Sequence, residues 1–242
     1  GVLAATLADT WQVAVEMVAR VGGDPGFPGL IGPRVAPATA KPRRLAVLET
    51  AGWRVVSGEA KQALQDAVAK LANAGVKIVT RHSNAQVAAV EEGIADAQTL
   101  SLGLNAWESR WPLNTYKERD ASKLSRSALD RLAQAEAMTI DDYRRLLAER
   151  VRIRGLYAAL ASQCDGCVTL PATGAAPVGL NSTGNPAFAV PFSLLGVPAL
   201  SLPLLREQSL PLGLQVTGFA NEDAATFGVA AWLMQTLGDV ND

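Results

Sequence analysis

The class of fold follows from residues 45–79, which read LAVLETAGWRVVSGEAKQALQDAVAKLANAGVKIV. Short apolar runs at 45–48 and 76–79 predict two buried strands. Between them, Ser57 is a typical residue to precede a helix, and Gly75 is a typical residue to end one. Leu64, Val68 and Leu71 face inward on that helix. A strand–helix–strand unit of this length makes a right-handed crossover, so the two strands should pair in parallel. The sequence therefore predicts an α/β fold.

Outside this unit, apolar residues recur at intervals of three and four, which predicts helices that flank the sheet. Residues 24–43 contain five prolines and are expected to form an irregular connection. We expect helices at 6–21, through most of 83–163 with breaks near Trp111 and Thr139, and at 222–237, and strands at 198–203 and 212–216. We find neither a repeat nor a linker, so residues 1–242 are predicted to lie in one domain without an internal boundary, built on a mixed β-sheet flanked by helices.

Charge and hydropathy exclude several functions. Lys plus Arg number 22 and Asp plus Glu 23, so the net charge of −1 offers no general attraction for nucleic acid or anionic membranes. No apolar run approaches the length needed to span a bilayer, and the first residues do not resemble a signal peptide. We therefore expect a cytoplasmic protein. Because the chain begins with Gly1 instead of Met, we also expect that residues once preceded it.

The cysteines and the histidine restrict metal and nucleophilic chemistry. Cys164 and Cys167 form a Cys-x-x-Cys pair, which is half of a zinc site or a redox pair when the right context accompanies it. Neither a second ligand pair nor a thioredoxin-like pattern is present. We interpret both thiols as reduced packing residues and expect no metal and no cofactor. His82 is the sole histidine, and we interpret it as a solvated loop residue.

The long helix predicted after Thr139 carries many charged residues. One face of this helix carries five arginines, at positions 144, 145, 150, 152 and 154. Such a group of positive charges could indicate an anion-binding site. Acidic residues 141, 142 and 149 interleave with them. This alternation is typical of a solvated helix face, which is the interpretation we favour.

The segment 172–184 has an unusual composition, since it consists of Gly, Ala, Ser, Thr, Asn, Pro, Val and Leu without any charge. Such a segment allows backbone to approach a ligand closely. No serine here has an obvious base. Ser57 and Lys61 stand four apart at a helix start, and Ser122 and Lys123 are adjacent, so their side chains would not face each other on a helix.

Two parts of the chain resemble the amidase signature family. The first nine residues, GVLAATLAD, resemble the family segment Gly-Pro-Leu-Ala-Arg-Thr-Val-x-Asp, with Val2 and Ala5 as departures. The C-terminal third carries the second match: residues 170–173 (LPAT), 182–184 (STG), Phe188, Pro191, Leu194, Gly196, 198–199 (PA), Pro203 and 211–215 (PLGLQ). The middle of the chain resembles the family only in the type of its predicted secondary-structure elements.

This resemblance implies an enzyme that hydrolyses a carboxamide C–N bond with a serine nucleophile, a second serine in a cis peptide and a lysine base. Those residues precede the segment that begins with Gly1. The chain thus resembles the C-terminal half of an amidase without its catalytic residues, and we expect the isolated chain to be inactive. The missing half would be supplied in cis or in trans, the substrate would be a small-molecule amide, and a homo-oligomer is possible.

The resemblance also suggests which residues contact the substrate. Thr183 falls where some relatives place a hydroxyl that faces the acyl group, and Gly184, Pro186 and Phe188 follow on the same loop. The alternative is that these residues only shape a turn. Pro186 stands where the amidotransferase branch has an acidic residue, which argues against an aminoacyl-tRNA amidotransferase subunit. The other functional hypothesis is a noncatalytic partner or pseudoenzyme derived from an amidase.

Overall fold

The computed structural model describes residues 1–23 and 28–238. It contains a five-stranded sheet and eight α-helices within these residues. The strands are β1 (Arg44–Val47), β2 (Lys77–Val79), β3 (Cys167–Thr169), β4 (Ala199–Glu207) and β5 (Leu210–Thr217). The helices are α1 (Leu7–Val21), α2 (Gly58–Asn73), α3 (Ala85–Gly93), α4 (Ala97–Asp120), α5 (Arg126–Ala137), α6 (Ile140–Ala158), α7 (Val190–Leu195) and α8 (Asp223–Leu237).

The predicted strand–helix–strand unit is present as β1, α2 and β2. Strands β1 and β2 pair in parallel, with Leu45 opposite Ile78. The Ser57 hydroxyl accepts a 3.1 Å hydrogen bond from the amide of Ala60 and so caps α2 at the predicted position. At the other end, Gly75 has φ of +86°, a backbone conformation that favours glycine.

The sheet is mixed, with the strand order β2-β1-β3-β5-β4. Strand β3 runs parallel to β1 and antiparallel to β5, and β4 and β5 form an antiparallel hairpin. The predicted α/β class and the mixed sheet with flanking helices are therefore confirmed. The hairpin strands extend beyond the predicted bounds because Arg206 and Glu207 continue the pairing, opposite Pro211 and Leu210, up to a tight turn at 208–209.

Alternate residues of β1 and β3 serve two separate cores. Leu45 and Val168 pack with α2 and α8 on one face, whereas Ala46 and Cys167 pack with α3, α6 and α7 on the other. Burial on both faces explains why these two strands are apolar runs instead of alternating patterns.

The remaining helix boundaries follow local signals. Trp111 interrupts α4 with non-helical angles and a cis bond to Pro112, at the predicted break. Thr139 begins α6 with a capping box, since its hydroxyl accepts from the Asp142 amide and the Asp142 carboxylate accepts from the Thr139 amide.

The predicted irregular connection has neither helix nor strand in residues 28–43, and its residues 24–27 lie outside the described part of the chain. The connection is fastened through Trp11 of α1. The Trp11 indole donates a 3.0 Å hydrogen bond to the carbonyl of Pro33, and its ring meets that of Phe227 edge-on with centroids 4.7 Å apart. Among the described residues, no helix has the length and apolar character required to cross a membrane.

Candidate functional site

The candidate site lies where the central strand β3 runs into the uncharged segment. The hydroxyl of Thr169, the last residue of β3, donates a 2.8 Å hydrogen bond to the carbonyl of Leu48, which fixes the end of this strand beside β1. The following loop returns toward α2, and its Thr173 carbonyl accepts a 2.9 Å hydrogen bond from the amide of Ser57. The loop therefore has a fixed position against the crossover helix.

A cavity of about 640 Å³ opens between this loop and the β4–β5 hairpin. It is lined by Ser57, residues 171–177, residues 183–186, Glu207 and residues 211–213. Close packing at its floor requires Gly213, because a Cβ there would come 2.8 Å from Cγ of Pro171 and would also collide with the Ser201 hydroxyl.

Glu207 carries the only ionisable side chain among the lining residues that the structure describes. Its carboxylate accepts a hydrogen bond from the amide of Ala175 and thereby ties the hairpin to the loop. The remaining lining groups are small apolar side chains, hydroxyls, one carboxamide and backbone. Such a pocket suits an uncharged or weakly polar ligand group.

Three of the four predicted contact residues line this cavity: Thr183, Gly184 and Pro186. Gly184 has φ of +89°, and its amide donates a 3.1 Å hydrogen bond to the Ser182 hydroxyl, so a tight turn presents Thr183. These residues therefore shape a turn, as one interpretation of the segment held, and they also border a cavity, as the substrate-contact interpretation requires.

Phe188 is the exception. Its ring is 0% exposed, packs in the core with Trp53 at a centroid distance of 6.4 Å, and does not border the cavity. The backbone of Phe188 is also fixed, since its carbonyl accepts a 3.3 Å hydrogen bond from the buried Gln215 carboxamide. The short helical turn at Pro186–Phe188 rotates the ring away from the cavity that Pro186 lines.

Sequence reasoning missed Glu207, Thr173 and Ser57 as lining residues. Glu207 sits at the end of a hairpin strand and Ser57 at a helix start, more than a hundred residues apart. Nothing in the local pattern relates these positions, because the packing of β4 against α2 brings them together.

The possible nucleophile and base pairs have other partners. The ammonium of Lys61 lies 5.0 Å from the centre of the Trp53 ring, while the Ser57 hydroxyl caps α2. The Ser122 hydroxyl donates a 2.6 Å hydrogen bond to the Asp120 carboxylate on the surface. His82 is exposed, as expected of a loop histidine.

The basic face of α6 divides into two groups. Arg144, Arg145 and Arg152 pair with the acidic residues three positions earlier, which confirms the solvated interpretation for them. Arg150 and Arg154 instead border a separate cavity of about 840 Å³ between α6 and α7, where the Arg154 guanidinium donates to the carbonyl of Leu194 at 3.3 Å. For these two residues the sequence interpretation was wrong, because the helix turns them toward α7.

Comparison with known proteins places this architecture in a family. The family described as Amidase matches residues 1–227. The chain belongs to the amidase family. This confirms the resemblance that the two ends of the sequence suggested.

Individual amidase relatives match parts of the chain. A fatty acid amide hydrolase of Medicago truncatula is 31% identical over 157 residues, which cover 59% of this chain and 25% of that protein. A glutamyl-tRNA(Gln) amidotransferase subunit of Granulibacter bethesdensis is 46% identical over 52 residues, or 21% of this chain and 10% of the relative.

A solved structure described as an amidase has the same fold. It superimposes with a TM-score of 0.69 at 22% identity, covering 84% of this chain and 47% of the other. The chain thus spans about half the length of this solved structure, and the matched segments span a quarter or less of the two relatives named above.

Proposed function

We propose that this chain forms the C-terminal part of a hydrolase that cleaves the C–N bond of a small carboxamide, and that it supplies the scaffold and one wall of the substrate pocket. The observation that carries this proposal is the cavity of about 640 Å³ between the uncharged loop and the β4–β5 hairpin. Thr183, Gly184 and Pro186 would contact the acyl group, while Phe188 supports the loop from the core.

Amide hydrolysis needs a nucleophile with a base in hydrogen-bond reach and donors for the developing oxyanion. Ser57 with Lys61 and Ser122 with Lys123 do not meet this need, since each pair has a side chain engaged with another partner. The serine, cis-serine and lysine that the family resemblance implies would therefore come from a segment outside residues 1–242, in cis or in trans.

The pocket favours an uncharged acyl group over an amino acid amide. Pro186 occupies the position where the amidotransferase branch has an acidic residue, and it lines the cavity. Glu207 is the one carboxylate among the described lining residues, and it accepts a hydrogen bond from the amide of Ala175. Glu207 thus has a structural role in tying the hairpin to the loop, and Pro186 offers a ligand ammonium no acceptor side chain.

The first experiment tests whether catalysis needs another segment. The isolated chain is incubated with aliphatic and aromatic amides and with a fluorophosphonate probe, and we expect neither turnover nor labelling. Stoichiometric labelling of one serine with turnover would contradict this expectation.

The second experiment uses the active assembly, after the catalytic segment is supplied. Thr183→Val should change the preference between a small polar and a small apolar acyl group by about 1–3 kcal/mol, because one pocket contact is altered. Thr99→Val, on the exposed face of α4, is the matched control. An unchanged ranking in Thr183→Val would remove Thr183 from the substrate wall.

The engagement of Ser57, Lys61 and Ser122 with other partners also suits a noncatalytic partner or pseudoenzyme. Intact mass of the protein isolated from its natural source separates the two proposals. A longer chain or a co-purifying amidase segment would support the hydrolase, whereas a product of 242 residues that stays alone would support the noncatalytic role.

A further inference from the structure

The cavity of about 840 Å³ between α6 and α7 lies apart from the candidate pocket. Its lining comes from these two helices, from the segments 196–198 and 220–223, and from residues 28–29 of the irregular connection. Within the described part of the chain, the two cavities share no lining residue. A ligand between α6 and α7 would therefore occupy a site of its own.

Arg150 and Arg154 bring two positive charges to this cavity, one helical turn apart on α6. The solvated arginines of α6 each pair with an acidic residue three positions earlier. The corresponding positions before Arg150 and Arg154 hold Leu147 and Val151. Like charges four positions apart on a helix repel each other. An anion between the two guanidinium groups would reverse this repulsion.

Arg154 is held against the end of α7. Its Nε donates a 3.3 Å hydrogen bond to the carbonyl of Leu194. Its Nη2 lies 2.8 Å from the position that a Cβ would take at Gly196, whose φ of +69° also favours glycine. Burial, followed by the charge of Arg150, lowers the pKa of the Arg154 guanidinium. The Arg154 guanidinium is thus positioned before a ligand arrives, and it interacts with the charge of Arg150.

Arg150 provides a donor that needs an acceptor. Its Nε is buried, and within residues 1–23 and 28–238 this nitrogen has no hydrogen-bond partner. A buried donor without an acceptor carries the full cost of its lost hydration, which is larger for a charged group. A ligand oxygen in the cavity would satisfy this donor.

The charge of the lining indicates the kind of anion. Asp223 is the one carboxylate among the described lining residues, and it accepts a 3.2 Å hydrogen bond from the amide of Ile31. Two positive side chains and one negative side chain leave an excess of one positive charge, which matches a monoanion better than a dianion. A carboxylate is a planar monoanion, and its two oxygens fit the parallel N–H groups of a guanidinium.

Apolar groups complete the lining. Leu195, Val197 and Pro198 border the cavity, together with the alanines at 158 and 220. Cavities of roughly 300–1,000 Å³ hold whole small molecules. The ligand would therefore carry an uncharged body as well as its carboxylate.

We propose that the cavity between α6 and α7 binds a small organic monocarboxylate, with Arg150 and Arg154 holding its carboxylate and the apolar wall contacting its body. Benzoate has this chemistry and serves as the probe. Benzamide has the same shape without the charge, and phenyl phosphate carries a dianionic group on the same ring. Binding needs no catalytic segment, so its outcome does not depend on the proposed hydrolase activity.

The test titrates the full chain with each probe by calorimetry at neutral pH and low salt. Benzoate should bind at one site, about tenfold or more tightly than benzamide, because benzoate alone forms charge-assisted hydrogen bonds. Added salt should weaken it. Arg150→Gln should weaken benzoate binding by about tenfold. Arg144→Gln is the matched control, since Arg144 pairs with Asp141 on the exposed face, and it should bind benzoate as the unsubstituted chain does.

Two further variants locate the ligand and separate binding from folding. Arg150→Lys retains the charge but lacks the planar group, so it should stay folded and bind benzoate several-fold more weakly than the unsubstituted chain. Thr183→Val alters the candidate pocket and should leave the benzoate affinity unchanged. Thermal unfolding verifies that each variant is folded, and Arg150→Lys decides the test if Arg150→Gln is not.

Three results would overturn the proposal. The first is a folded chain that does not bind benzoate at millimolar concentrations. The second is unchanged benzoate affinity in the folded Arg150 variants, or a loss in Thr183→Val as large as that in Arg150→Gln, which would place benzoate in the candidate pocket. The third is tighter binding of phenyl phosphate than of benzoate, which would refute the assignment of a monocarboxylate.

Discussion

The amide of Ser57 donates a 2.9 Å hydrogen bond to the carbonyl of Thr173, and this bond joins the start of α2 to the loop that leaves β3. The same residue caps α2 through its hydroxyl, 3.1 Å from the amide nitrogen of Ala60. One residue therefore starts the crossover helix and holds the wall of the candidate pocket.

These two roles can be separated by substitution. Ser57→Ala removes the cap alone and should lower the free energy of unfolding by about 1 kcal/mol. Ser57→Pro suits the native φ of −64° but removes the amide as well, so it should cost about 1 kcal/mol more. Denaturant unfolding of both variants measures the difference. Equal stability of the two variants would show that the bond to Thr173 contributes no more than the entropy that proline removes from the unfolded chain.

Phe188 is expected to act on stability instead of specificity. Its ring is 0% exposed, so Phe188→Ala should lower the free energy of unfolding by about 3–5 kcal/mol and should reduce activity of the assembled enzyme equally on all amides. Val178→Ala, at a fully exposed position of the same loop region, is the control and should be nearly neutral. Denaturant unfolding and substrate ranking check both parts. A shifted ranking with unchanged stability would instead place the ring in the pocket.

Gly213 and Gly155 offer a matched pair of glycine substitutions. Gly213→Ala drives a methyl group toward the rigid ring of Pro171, 2.8 Å from its Cγ, and should cost about 1–3 kcal/mol of stability while narrowing the pocket. At Gly155, on α6, no atom beyond the neighbouring residues and the backbone of the helix itself lies within 4 Å of the added methyl group, so Gly155→Ala should stabilise the helix by about 0.5–1 kcal/mol. Melting temperatures should move in opposite directions, and a harmless Gly213→Ala would refute the tight contact.

Glu91 should make stability depend on pH. Burial raises the pKa of this carboxyl group from its usual 4.5 to about 6, although the Glu49 amide, 2.8 Å away, and the Arg81 guanidinium, at 3.2 Å, oppose the increase. A raised pKa means that the folded state binds the proton more tightly. The stability that the folded state gains from this tighter proton binding is complete below pH 4.5 and is lost as the pH rises through about 6.

Relative to Glu91→Gln, the unsubstituted chain should therefore lose on the order of 1 kcal/mol of stability between about pH 4.5 and about pH 7. Glutamine keeps an oxygen that can accept from the Glu49 amide, but it cannot ionise. Glu92→Gln, at the exposed neighbouring position, should retain the pH dependence of the unsubstituted chain. Denaturant unfolding across this range measures the effect, and parallel curves for the unsubstituted chain and Glu91→Gln would show that Glu91 does not titrate there.

Local patterns were sufficient for many of the elements, although helix α7 and the helix breaks at 94–96 and 121–125 were not predicted. Strands β1 and β2, the cap at Ser57, the capping box at Thr139 and the break at Trp111 all depend on residues that are near neighbours in the chain. The crossover rule then required parallel pairing, because handedness restricts how a strand can return to its sheet. The family resemblance likewise rested on short segments, and the family match over residues 1–227 confirmed it.

Tertiary structure alone decided which side chains meet. Phe188 follows Pro186 by two positions, yet one lies in the core and the other borders the cavity, because a single helical turn rotates them to different sides. Glu207 and Ser57 line the same pocket only because β4 and α2 pack together in the folded chain. Arg150 and Arg154 belong to the same run of alternating charges as the solvated arginines of α6, but they border the cavity between α6 and α7. Sequence periodicity shows that a helix has a polar face and an apolar face, whereas the packing of distant elements determines what each face contacts.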